Sequence, residues 1–214
     1  MIKCVIFDMD GVLTSSSEQH FQAWRELVQA KGKTLDDSIE VYTRGVSRMK
    51  SLEIVLESVG LNNQFSDDEK IRMAEEKNER YKELISAFTE DNLAKGAKRF
   101  LDDLKSRHIK IALGSASKNG PLLLEKLGIR DYFDYVVNPA DSVRPKPAPD
   151  IFLKAAQALK ISPSNCMGVE DAVAGIASIK AAGMYAVGIG DKNELSQADV
   201  VFESFEGLQI DNLL

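Results

Sequence analysis

Residues 3–7, Lys-Cys-Val-Ile-Phe, make a short apolar run rich in β-formers that stops at two acids and a glycine. Such a run predicts a strand buried on both faces; a helix would need a longer segment with one polar side. The texture then changes. From about residue 17 to residue 89 the apolar positions recur at helical spacing and no strand pattern is present. Phe21, Trp24, Leu27 and Val28 mark one helix, and Ile71, Ala74 and Asn78 open a strongly charged one that runs through Tyr81 and Ile85. Beyond it, helical stretches at 97–106, 122–127, 151–159 and 176–182 alternate with strand-like runs. Those runs are 109–113, 135–137, a short one ending at Met167, 185–189 and 200–202. This alternation predicts βαβ units, and so a Rossmann-like α/β core with helices on both faces of a parallel sheet. Strand one joins the same sheet, which makes the helical stretch an insertion. The expected domains are an α/β core from 1–14 and 93–214, and an α-helical cap from 15–92.

Composition narrows the partners. The chain has 214 residues and a formal net charge of -6, which argues against nucleic acid or an anionic membrane, since neither gains from an acidic surface. Cys4 and Cys166 form no CxxC pair, and each sits in an apolar run, as buried thiols in a reducing compartment do. Asp8 and Asp10 come too early to leave room for a signal-peptide apolar region. No apolar stretch reaches the roughly 20 residues of a membrane span. A cytoplasmic monomer acting on a small molecule is the expectation.

Ligands of open parallel sheets gather at the carboxyl ends of the strands. The polar residues that carry chemistry fall there. Asp8 and Asp10 follow strand one, with Gly11 permitting a tight turn, and Glu170 and Asp171 lie on a neighbouring loop. Strand alternation points Asp8 and Asp10 the same way. Four converging carboxylates need compensating charge and make an oxygen-rich site suited to Mg²⁺. Alone, the Asp-Met-Asp-Gly segment would read equally well as a solvated turn. Ser115 ends a strand just before a helix opening near Asn119, where a hydroxyl and free backbone N–H groups can cradle phosphate or simply cap the helix. Lys146 sits among prolines in Arg144-Pro-Lys-Pro-Ala-Pro149, a restrained loop that lowers the cost of fixing its ammonium.

Taken in order, Asp-x-Asp, Ser, Lys and Glu-Asp at four strand ends resemble the haloacid dehalogenase superfamily of phosphotransferases, over essentially the whole chain. The resemblance implies that Asp8 is the nucleophile and Asp10 the general acid/base. It implies that Ser115 and Lys146 hold the transferring phosphoryl group. One Mg²⁺ would be bound by Asp8, Asp10 through its carbonyl, Glu170 and Asp171. The chemistry is reasonable for a carboxylate, which need only accept a metaphosphate-like group in line while Mg²⁺ and Lys146 neutralise its oxygens.

The helical insertion is similar to the cap of the phosphoglucomutase-like branch. His20 and Trp24 stand at i and i+4 on its first helix. Thr43-Arg44-Gly45-Val46-Ser47-Arg48 resembles the branch's specificity loop, with Arg48 as the grip on a distal phosphate. Lys77-Asn78 resembles a cap pair that contacts substrate, and Ser115-Ala116-Ser117-Lys118-Asn119 its phosphate loop. Each has a plain alternative: Trp24 as core packing, Lys77 on a solvated face, Arg48 capping a helix. The branch implies a glucose-phosphate mutase that exchanges β-D-glucose 1-phosphate and glucose 6-phosphate through glucose 1,6-bisphosphate. Such an enzyme needs a second phosphate subsite, here Arg48 and Lys77 with Lys118 and Asn119. A sugar-phosphate phosphatase of the same fold needs only the first. A phospho-receiver module also pairs an acidic cluster with a lysine, but the large insertion and the acceptor on strand one disfavour it. Two departures stand out: Ser15-Ser16-Ser17 lacks the acid usual after the turn, and Lys95-Gly96 replaces Pro-Gly.

Overall fold

In the computed structural model, which describes residues 1–141 and 144–213, six strands form one parallel sheet. They are β1 (Cys4–Phe7), β2 (Lys110–Leu113), β3 (Tyr135–Val136), β4 (Cys166–Glu170), β5 (Tyr185–Ile189) and β6 (Val200–Phe202), in the order β3-β2-β1-β4-β5-β6. All four residues of β1 are buried, as a central strand between β2 and β4 requires. The chain moves outward from β1 through β2 and β3, then returns to β4 and moves outward through β5 and β6. Strand order therefore reverses beside β1. The carboxyl ends of β1 and β4 border the crevice where such sheets take ligands.

Alternation along β1 serves two cores. Ile6 packs with Ala112, Ile151, Phe152, Ile176 and Ile179, which come from β2 and from the helices α7 (Asp150–Ala158) and α8 (Val173–Ala181). Phe7 turns the other way, with ring centroids 6.1 Å from Phe100 and Phe133 and 6.2 Å from Phe205. Phe100 belongs to α5 (Ala97–Ser106). Each such side chain contributes about 1.5–3 kcal/mol by leaving water. Cys4 and Cys166 are free, buried and directly opposite each other on β1 and β4. The neighbouring Cys166 sulfur and burial together raise the Cys4 thiol far above its usual range.

The strand expected to end at Met167 continues to Glu170. Gly168 and Val169 pair with Ile6 and Phe7, and Glu170 pairs with Gly188. Glu170 is thus the last residue of a buried strand, not part of a loop. A glutamate stands there because a cation meets it, as described below.

The chain divides into two compact units, Met1–Ser15 with Phe88–Leu214, and Ser16–Ala87. The helical unit ends at Ala87 and not at 92, because the segment after it belongs to the sheet unit. Thr14 Oγ1 donates to the Asn92 carbonyl at 2.8 Å, and Ala94 N donates to Leu13 O. The helical unit contains α1 (Ser17–Gln29), α2 (Glu40–Thr43), α3 (Arg48–Ser58) and α4 (Asp67–Leu84). Its own core joins Phe21, Trp24 and Leu27 to Leu52, Leu56 and Met73. A capping box of Ser66 and Glu69 starts α4. The buried stripe of α4 is Met73, Ala74, Lys77 and Tyr81; Ile71, expected on that face, is 48% exposed. Among the described residues no helix is long and apolar enough to cross a membrane.

Candidate active site

Asp8 leaves β1 with its N–H donating to Val169 O, so the ladder to β4 fixes its backbone. Its side chain meets Lys146, whose Nζ donates to Asp8 Oδ1 at 2.7 Å and to Glu170 Oε1 at 2.5 Å. All three are buried, Glu170 completely. The Phe152 ring lies 5.1 Å from the Lys146 ammonium and walls it on one side. The second oxygen of Glu170 accepts the N–H groups of Asp171 and Ala172. Asp8, Glu170 and Asp171 each place one carboxylate oxygen within 4.8 Å of the others. Two glycines make room for this. A Cβ on Gly11, at φ +85°, would fall 1.9 Å from Asp171 Oδ2, and one on Gly175 would fall 1.9 Å from Glu170 Oε1.

Burial pushes the Asp8 carboxyl up to about 7. Lys146 opposes that, while the Glu170 and Asp10 charges add to it. Burial pulls the Lys146 ammonium down, but Asp8 and Glu170 outweigh it and raise it above its ordinary value. One ammonium among three carboxylates, those of Asp8 and Glu170 buried and that of Asp171 half-buried, leaves excess negative charge, which is the condition for holding a hard cation.

Ser115 is buried after β2, with Ala116 and Ser117 half-buried, Lys118 exposed and Asn119 buried. Ser115 Oγ accepts Ser117 N at 3.1 Å, and Ser117 Oγ accepts Asn119 N at 3.2 Å. The hydroxyls thus shape the loop. The position before α6 (Gly120–Lys126) is Asn119, so Ser115 is not its cap.

In the helical unit, Lys77 is buried. Its Nζ lies 2.5 Å from His20 Nδ1 and 4.5 Å from the Trp24 ring centroid, and Tyr81 stacks on His20 at 3.6 Å. An ammonium donating to Nδ1 requires a neutral imidazole with its proton on Nε2. The solvated-face alternative for Lys77 therefore fails, and Trp24 forms part of the core. In the loop from 44 to 48, Arg44 Nη2 pairs with Glu40 Oε1 at 2.9 Å. Gly45 takes φ 70°, Val46 is half-buried, and Ser47 caps α3 by accepting Lys50 N. Arg48 Nη2 donates to Asn78 Oδ1 at 2.7 Å. Burial lowers the Arg48 guanidinium, with Glu75 and Glu79 acting against it.

A model of the haloacid dehalogenase-like hydrolase family matches residues 2–183. The chain belongs to that family. It is 41% identical to β-phosphoglucomutase of Bacillus subtilis over 212 residues, which is 99% of this chain and 94% of that protein. It is 34% identical to the fructose-1-phosphate phosphatase YqaB of Escherichia coli over 190 residues, 86% of this chain and 95% of that one. The crystal structure of β-phosphoglucomutase from Clostridium difficile superposes with a TM-score of 0.96 at 42% identity, over 100% of this chain and 96% of that one.

The acid cluster of this haloacid dehalogenase-like chain fits a divalent cation by its donor chemistry: hard carboxylate oxygens, gathered where glycines at 11 and 175 leave space for them. The Asp10 carboxylate is not one of the three; its charge is close enough to raise Asp8. Three residues around the acid–lysine cluster, Gly175, Phe152 and Ser178, were not singled out by sequence reasoning, nor was Tyr81 beside Lys77 in the helical unit. Ser178 donates to the carbonyl of Ala148 in the lysine loop. None has a local signal, because a buried serine or glycine inside a helix reads as ordinary packing until its tertiary neighbour is known.

Proposed function

We propose that the chain is a β-phosphoglucomutase, which exchanges β-D-glucose 1-phosphate and glucose 6-phosphate through phosphorylated Asp8 and glucose 1,6-bisphosphate. Asp8 is the nucleophile: a carboxylate oxygen bonds to phosphorus as the bond to the leaving sugar or donor oxygen breaks. Asp10 gives that oxygen its proton and recovers one from the next attacking hydroxyl. Lys146, already 2.7 Å from Asp8, exchanges contact with the acids for contact with phosphoryl oxygens, and Ser115 with its loop holds the same group. Asp8, Glu170 and Asp171, with the Asp10 carbonyl, would hold Mg²⁺, whose positive charge would keep Asp8 ionised and offset charge on the phosphoryl group. We place the reaction in the cytoplasm, with a monomer as the working unit.

Arg48 carries the choice of mutase over phosphatase. A bisphosphate intermediate has a second phosphate to hold. Arg48 donates to the neutral Asn78 amide, which orients the guanidinium, and the Glu75 and Glu79 charges act on it without an ion-pair contact among the described residues. Arg44, by contrast, is matched by the Glu40 carboxylate. In the helical unit we assign the distal phosphate to Arg48 and Lys77, with His20 oriented by Lys77; in the sheet unit we assign phosphate contacts to Ser117, Lys118 and Asn119. The test is product partition. With Mg²⁺, β-glucose 1-phosphate and a trace of glucose 1,6-bisphosphate, glucose 6-phosphate should form quickly with little free phosphate. Phosphate release without isomerisation would mean a phosphatase.

Metal binding should depend on pH with a definite sign. The folded Asp8 value, about 7, lies above the unfolded value of about 3.9. Its contribution to stability is therefore present below the unfolded value and is lost as pH rises through about 7. Mg²⁺ needs the ionised form, so it competes with a proton. Apparent Mg²⁺ affinity should rise about 10-fold between pH 6 and pH 8, with the Mg²⁺-induced gain in Tm rising in step. A gain in Tm independent of pH over that range would refute the assignment of Asp8 as a metal ligand.

A further inference from the structure

The buried hydroxyl of Ser178 is unexplained by the chemistry above. It lies on α8 with no exposed surface and donates to the Ala148 carbonyl at 2.6 Å. An alanine would fill a helix interior as well without a polar atom to satisfy, so the hydroxyl needs a reason to be there. Its partner supplies one. Ala148 closes the turn around Lys146, because its N–H donates to the Pro145 carbonyl at 3.0 Å. The turn is also tied outside that bond: Arg144 N and Arg144 Nη2 donate to the two carboxylate oxygens of Asp150, at 3.2 and 2.9 Å. Asp150 opens α7, and Phe152 on that helix walls the ammonium. Ser178 is the tie that reaches the turn from a different element.

α8 also touches the other partner of the ammonium. Gly175, one helical turn before Ser178 and on the same face, is the residue whose missing side chain admits the Glu170 carboxylate. Two positions of one helix therefore fix both ends of the Lys146–Glu170 pair: Gly175 by leaving space for the acid, and Ser178 by holding the turn that carries the lysine.

We infer that Ser178 is a positioning residue for Lys146, setting the height of its ammonium above Asp8 through the Ala148 carbonyl. This rests on the proposed role of Lys146 in holding the phosphoryl group. A loop freed from α8 lets the ammonium wander, and small misplacements of a charge-stabilising group are costly in rate. Arg48 belongs to a different element, in the helical unit.

Ser178→Ala should lower kcat roughly 10-fold and leave KM within about 2-fold, with Ser178→Cys, which keeps a weak donor on a somewhat larger atom, in between. The deciding readout is coupling. In a Lys146→Met background, Ser178→Ala should have no further effect on kcat, because the group it positions is gone. A measurement independent of turnover uses protein with ¹⁵N-labelled lysine side chains. The buried Lys146 ammonium should give a slowly exchanging signal in the wild type, and its exchange should quicken about 10-fold in Ser178→Ala. Unchanged kcat with unchanged ammonium exchange overturns the inference, as does the same fold-loss in both backgrounds, which would mark a general packing defect. Full turnover by Lys146→Met would instead overturn the role of Lys146 itself, and this inference with it.

Discussion

Asp8→Asn should abolish turnover, with kcat falling at least about 10⁴-fold and no phosphoenzyme formed. An amide keeps the size of the side chain and can still accept from Lys146, but it has no charge to attack phosphorus and is a poor ligand for a hard cation. The fold should survive. Asp8 is an ionisable group held in a buried site where burial already raises it to about 7, so replacing it by a neutral isostere relieves a desolvation cost as well as removing an ion pair. Metal-free Asp8→Asn protein should therefore melt within a few degrees of the wild type. Turnover above about one per cent of wild type in the purified variant, with contamination excluded by its metal dependence, would contradict the assignment of the nucleophile.

Arg48→Ala should separate isomerisation from simple hydrolysis. Mutase kcat/KM should fall about 10²- to 10³-fold, the cost of losing a desolvated guanidinium–phosphate contact. Breakdown of acetyl phosphate, a donor with no second phosphate, should change less than about 3-fold, since its only phosphoryl group belongs to Asp8. Arg48→Lys should recover only part of the loss, because a point charge cannot reproduce the planar fork that Asn78 orients. Equal losses in the two reactions would remove Arg48 from substrate recognition and make it a structural tie between α3 and α4. Arg44→Ala is the control: its charge is already matched by Glu40, so its effect should be much the smaller.

Residues reveal their roles in sequence when local pattern and role coincide. β1 was legible because a central parallel strand is apolar on both faces. Asp8 was legible because an acid ending such a strand stands out. The last residues of β4 were not, since glycine and glutamate look like the start of a loop. Lys146, remote in sequence, together with the Asp171 and Ala172 N–H groups makes a buried Glu170 tolerable. Lys77 was hidden in the same way, in a helix so charged that a solvated face is the natural reading. Its burial depends on His20, Trp24 and Tyr81 closing around it. Ser115 was placed correctly at a strand end, but the competing readings of cap and cradle needed the backbone to separate them: its hydroxyl shapes the loop, five residues before the helix begins. Ser178 gave no signal at all, because a hydrogen bond to a loop carbonyl thirty residues away leaves no periodic trace.

If phosphoryl groups pass through Asp8, one can be trapped there. Protein incubated with Mg²⁺ and glucose 1,6-bisphosphate would be quenched in acid, reduced with borohydride to convert an acyl phosphate to its alcohol, and mapped by peptide mass spectrometry. Homoserine is expected at position 8 and nowhere else, present in wild-type protein, absent without Mg²⁺ and absent in Asp8→Asn. Reduction at Asp10 or another carboxylate, or full turnover with no modified residue in a quench shown to trap a known acyl phosphate, would contradict transfer through Asp8.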